Sequence, residues 1–154
     1  MTYKVKLVSQ TNAIVLIIIL LIIFIGSVFL FIPHGIQNNG LLIFILVILM
    51  TIVYFLWQRF VTGRCEWTIN DDGITIVWIK KFAFANTKNL HFKWSEIQKI
   101  NRGLDPNYYN LKIKLVSGRT LTFFHDYLVT KDGFSNMTTE LFQTLNKKND
   151  LSQK

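Results

Sequence analysis

The sequence predicts a membrane α-helical hairpin followed by a small α+β domain. That domain is expected to be a bent antiparallel sheet or open barrel of six to seven strands, closed by a C-terminal helix. Three observations carry the prediction. Between Lys6 and Arg59 the chain has no Asp, Glu, Lys or Arg. Beyond Gly63, apolar and polar residues alternate at period two, the pattern of half-buried antiparallel strands. From Phe134 the period lengthens, and Phe134, Met137, Leu141, Phe142 and Leu145 fall on one face of a helix.

The first span runs from Ala13 to Ile32, and 17 of its 20 residues are Leu, Ile, Val or Phe. At about 1.5 Å per residue it reaches roughly 30 Å, the thickness of the hydrocarbon layer. It lacks the polar stripe of a core helix and the small-x-small cleavage site of a signal peptide. The second span begins at Leu41 and extends to about residue 60. Tyr54 and Trp57 sit where an interfacial aromatic belt belongs, and Arg59 snorkels to the headgroups. Pro33 to Gly40 is an uncharged turn, too short for more than an antiparallel connection. Lys4 and Lys6 precede the first span, and Arg59 and Arg64 follow the second, so both termini are expected in the cytosol. Residues 1–61 thus read as the hairpin, 64–148 as the cytosolic domain and 149–154 as a flexible tail.

The domain has roughly 90 residues, near the lower limit for independent folding. From Arg59 onward the chain carries 15 Lys and Arg against nine Asp and Glu, net +6 (15 − 9). Cys65, Trp67 and Ile69 alternate with polar residues up to the turn Asp71-Asp72-Gly73. Ile74 to Phe82 forms the next strand, and Leu90, Phe92 and Trp94 alternate in the one after it. Ile97 and Ile100 mark a short strand, and Asn101 to Asn107 reads as a loop. Tyr109, Leu111, Ile113 and Leu115 face one way, with Lys112 and Lys114 opposite. Ser117-Gly118-Arg119 then turns the chain into Thr120 to Tyr127. Trp67, Trp94 and Leu141 fall on the apolar side of their elements and are expected in the core.

This order resembles bacterial pleckstrin-homology-like (PH-like) domains that follow paired transmembrane helices. The resemblance lies in Ile69-Asn70-Asp71-Asp72-Gly73-Ile74, in Trp94-Ser95-Glu96-Ile97 with Ile100, in Leu115-Val116-Ser117-Gly118-Arg119-Thr120-Leu121, and in the terminal helix. It covers residues 65 to 148. It implies a multi-pass protein of a bacterial inner membrane and an adaptor or scaffold more than an activity.

No constellation in the sequence carries catalysis. His125-Asp126 lacks a nucleophile and a third partner. His34, His91 and His125 have no metal-ligand spacing, and no glycine-rich loop cradles phosphate. Cys65, the single cysteine, reads as a small buried residue. No enzyme activity, cofactor or metal is expected. Lys80, Lys81, Lys112 and Lys114 are the candidate membrane-surface contacts, each contributing on the order of 1 kcal/mol if it faces anionic lipid. The alternative for them is a solvated strand face. With no arginine evident beside them, salt-sensitive attraction is expected in place of headgroup recognition. The leading expectation is a non-enzymatic scaffold at the cytosolic membrane face, with the bilayer and a protein or a second copy as partners. An immunity protein against a membrane-active toxin and an anionic-lipid-binding module are the alternatives. Nucleic acid is not expected, because the cations form no dense run.

Overall fold

A computed structural model of the chain describes residues 1–31, 39–83, 87–104, 109–125 and 132–152. Seven strands form one antiparallel sheet: β1 (Thr2–Val8), β2 (Thr62–Ile69), β3 (Gly73–Lys80), β4 (Leu90–Lys93), β5 (Ile97–Leu104), β6 (Tyr109–Leu115) and β7 (Thr120–His125). The helices are α1 (Gln10–Phe31), α2 (Asn39–Leu56) and α3 (Phe134–Ser152). Strand order is β4-β3-β2-β1-β7-β6-β5, so among the described residues β1 lies at the centre and β4 and β5 are the edge strands.

β1 is the seventh strand, and the sequence reading assigned its residues to the hairpin. Thr2-Tyr3-Lys4-Val5-Lys6-Leu7-Val8 does alternate, with Val5 and Leu7 buried. It pairs with β2 along its whole length, from Thr2 opposite Thr68 to Val8 opposite Thr62. On its other side Leu7 and Val8 pair with His125 and Phe124 of β7. Lys4 and Lys6 are therefore strand residues, not merely charges flanking a span. By its contacts the chain divides into two units. Met1–Val8 groups with β2 to β7 and α3; Ser9–Val61 groups with Phe82 and Ala83.

In the sheet unit, Trp67 of β2 meets Phe123 of β7 edge to face, with centroids 4.9 Å apart. Trp67, Ile74, Ile76, Leu111 and Ile113 are fully buried, as are Met137 and Leu141 of α3. Trp94 is buried too, and its Nε1–H donates to the carbonyl of Asn70 at 2.8 Å. That bond ties the turn Trp94–Glu96 to the β2–β3 connection. Lys93 N–H donates to the Glu96 carboxylate at 2.9 Å and starts this turn. Gly73 opens β3 where a Cβ would collide with the carbonyl oxygen of Phe92. Lys148 Nζ donates to the carbonyl of Asp71, and Tyr3 Oη donates to Glu140.

Two elements run longer than the sequence suggested. Asn101 to Leu104, read as loop, continue β5 opposite Lys112 to Tyr109. Ladder bonds outweigh the turn propensity of Asn101 and Gly103. Helix α3 continues to Ser152, past the expected start of the tail at 149.

In the helical unit, α1 and α2 are both long and apolar enough to cross a membrane. Only 11% of the apolar window of α1 and none of that of α2 is buried within the chain. A soluble core helix would be mostly covered. α2 ends in a π-helical turn, Trp57–Val61, in which Trp57 is half-buried and Arg59 exposed. Asn12 Nδ2 donates to the carbonyls of Phe60 (2.8 Å) and Ala83 (2.6 Å), and Ser9 N–H to that of Val61 (3.0 Å). The start of α1 thus lies beside the turn that ends α2. Residues 32–38, which hold most of the connecting turn and His34, lie outside the described residues.

Candidate functional site

The four candidate lysines fall into two sets that the sheet keeps apart. Lys80 ends β3 and Lys81 follows it. Lys112 and Lys114 lie on the exposed face of β6, alternating with buried Leu111, Ile113 and Leu115. Three strands, β2, β1 and β7, separate β3 from β6. At about 4.8 Å per step that is roughly 19 Å along the sheet. The lysines near β3 have a partner that the sequence did not reveal. Lys80 is the register partner of Arg64, and Arg64 of Lys6. Directly opposed residues of antiparallel strands share a face, so this row of cations crosses β1, β2 and β3 on one side of the sheet. A bulge between Arg64 and Cys65 sets Ile79 out of register beside the row.

Next to this row is a cavity of about 400 Å³ lined by Lys4, Lys6, Arg64, Ile79 and Asp132, with Val5 and Cys65 at its base. Lys4 reaches Glu66 at 3.7 Å in an exposed ion pair. Arg64 has no ion-pair partner among the described residues.

Asp132 closes one side of the cavity and is the residue that sequence reasoning missed. His125 Nε2–H donates to its Oδ1 at 2.8 Å, and the N–H of Phe134 donates to the same oxygen at 3.1 Å. The N–H of Lys6 donates to Oδ2 at 2.7 Å. Burial works to raise the Asp132 pKa. The bonds from His125, Lys6 and Phe134, with the His125 charge, outweigh that and leave it below the usual carboxylate value. The carboxylate also caps α3, where a negative charge is favoured. Asp132 and Gly133 also bond to the backbone of β1. Gly133 N–H donates to the carbonyl of Lys4 at 3.2 Å. His125 stacks on Phe134, ring centroids 4.3 Å apart and 8° from parallel. His125 Nδ1 is buried without a hydrogen-bond partner among the described residues. The sequence paired His125 with Asp126, which lies outside the described residues; its observed partner is seven positions away.

Cys65 is fully buried. Burial pushes its thiol up to about 12, against a lowering bond from Trp67 Nε1–H at 3.1 Å and with a further rise from the Asp132 charge. A thiol held protonated is no nucleophile at neutral pH. Among the described residues no three of His, Cys, Asp and Glu are placed to hold a metal ion. Tyr54 is 55% exposed on α2, with Phe55 edge to face against it at 5.9 Å. No family model, characterised protein or solved structure matches the chain.

Proposed function

We propose that the chain is a membrane-anchored, non-enzymatic PH-like module that serves as a protein-interaction or self-assembly scaffold at the cytosolic face of a bacterial inner membrane. One observation carries the anchoring. The apolar helices occupy the connection between β1 and β2, which pair from end to end. Val8 and Thr62 are register partners, so the chain leaves and re-enters the sheet at one point. A segment that departs and returns on one side of a bilayer crosses it an even number of times, and two helices of spanning length supply two crossings. The exposed apolar surface of both helices needs lipid or protein to cover it. A removable signal sequence fits poorly, because cleavage would strip away the central strand. The flanking cations favour the cytosol for the sheet.

The meander of consecutive antiparallel neighbours, joined through β1 and β7 and followed by a C-terminal helix, supports the PH-like reading. The scaffold role draws on β4 and β5, the two edge strands of the sheet among the described residues, because edge strands suit strand addition. Two measurements test the proposal on the full chain. A cysteine at Asn38 in a Cys65→Ala background should react with an impermeant maleimide from outside the cell, and one at Ser152 only after lysis. Labelling of both from outside overturns the topology. The mass of the protein purified in mild detergent should exceed that of one chain, through self-association or a stoichiometric partner. A lone monomer at all concentrations removes the scaffold role.

A further inference from the structure

The cavity on β1 and β2 has the chemistry of an anion site. Three cations, Lys4, Lys6 and Arg64, line it with one acid, Asp132, and Glu66 stands beside Lys4. The Asp132 oxygens already accept three hydrogen bonds, from His125 and two backbone N–H groups, so its charge is largely engaged. The Lys4–Glu66 pair is exposed and loose, and such pairs exchange readily for a better acceptor. Arg64 presents a planar fork that grips two oxygens of one phosphate, which a lysine head does not do. Lys80, opposite Arg64 in register, adds to the positive field. A volume of about 400 Å³ suits a headgroup-sized ligand.

The sequence also limits how far these cations lie from the apolar helices. Arg64 is three residues beyond Val61, the end of the second apolar window, and Lys6 is four residues before Gln10, the start of the first. At no more than about 3.6 Å per residue, those links reach at most about 11 Å and 14 Å. One headgroup layer is about 5–7.5 Å deep, half of the roughly 10–15 Å by which the whole bilayer exceeds its hydrocarbon core, so the links hold the cations to within about two to three such depths of the helix ends.

We propose that this cavity binds a phosphate group, namely the headgroup phosphate of an anionic lipid, with Arg64 as its principal ligand and Lys4 and Lys6 beside it. The lipid source rests on the membrane reading above; the phosphate chemistry does not. Arg64 turns a diffuse attraction into a site, so binding should depend on this residue more than on net charge.

The test uses the full chain in a neutral detergent. Short-chain phosphatidylglycerol, phosphatidylcholine of the same chain length and inorganic phosphate are titrated separately, with bound species counted by native mass spectrometry. Phosphatidylglycerol should bind at least about tenfold more tightly than phosphatidylcholine, and Arg64→Gln should remove about that factor. Arg64→Lys should lose part of it. The double variant Lys112→Gln/Lys114→Gln removes more charge at a distant strand and should change binding less than about twofold. Equal losses from the Arg64 and the β6 variants, or no preference for phosphatidylglycerol, overturn the proposal. Arg64-dependent binding of inorganic phosphate tighter than that of the lipid retains the phosphate site and rejects the lipid as its source. Unfolding temperatures of the variants are recorded alongside, and Arg64→Lys keeps the comparison decisive if the glutamine variant fails to fold. The topology experiment can fail while the phosphate arm succeeds, so the two readings are separable.

Discussion

Asp132 holds β1, β7 and α3 together through one carboxylate, and its removal should be felt in all three. Asp132→Asn keeps the shape but turns one acceptor into a donor, leaving at least one of the N–H groups it served without a partner. A loss of about 1–3 kcal/mol is expected, measured by thermal unfolding in detergent. The pH dependence has a definite sign. The folded-state pKa is lowered, so its stabilisation is complete above the unfolded value of about 3.9 and is lost as pH falls through the lowered folded value. Wild type should therefore lose stability at the acid end faster than Asp132→Asn, whose position cannot titrate. Parallel acid limbs would show that the carboxylate contributes nothing through its charge. Gly73 is the second sensitive position. Gly73→Ala sets a Cβ against the Phe92 carbonyl, where backbone must move, and should weaken the pairing of β3 with β4.

At the scale of elements, β1 and α3 decide whether the sheet stands. Leu141 is fully buried on α3, so Leu141→Ala should cost about 2–5 kcal/mol, read as a lowered unfolding temperature. An unchanged temperature would mean that α3 contributes nothing to the core. β1 is the more drastic case. It supplies Val5, Leu7 and Val8 to the core and bridges β2 to β7. A fragment that starts at Thr62 leaves facing edges of β2 and β7 without the strand between them. That fragment should lack cooperative unfolding, and a synthetic peptide of residues 1–9 added to it should restore some. Cooperative melting of the fragment alone would show β1 to be dispensable.

For the molecule as a whole, the hairpin is a long insertion in a tight β connection. Ser9 N–H donates to the Val61 carbonyl, the bond that closes a two-residue hairpin. Replacing residues 10–60 by Asn-Gly should therefore yield a sheet domain that stays in solution without detergent and unfolds cooperatively. Aggregation of this variant, with the sheet core intact in the full chain, would mean that the helices are needed for folding as well as anchoring. The insertion also orders events during synthesis. β1 emerges first, yet its partner strand β2 follows only after both apolar helices, so the central ladder closes late. High sequence separation of this kind slows folding.

The apolar helices, the period-two strands, the α3 face and the turns at Asp71-Asp72-Gly73 and Ser117-Gly118-Arg119 were all legible in the sequence. Each is set by local chemistry: charge excluded from lipid, side chains alternating across a pleat, residues tolerant of tight turns. Burial of Trp67, Trp94 and Leu141 followed from the same periods. The central strand was not evident in the sequence: Lys4 and Lys6 do alternate with Val5 and Leu7, but the lysines read as charges flanking a membrane span. Only tertiary structure chose between the two meanings, because pairing across 53 intervening residues, 9 to 61, leaves no local trace. The same holds for Asp132, whose partners come from β1, β7 and α3, and for Arg64, which stands opposite Lys80 only once β2 and β3 are in register. Composition and period determine what each element is. Which charges meet is a property of strand register, and that is decided by the packed core.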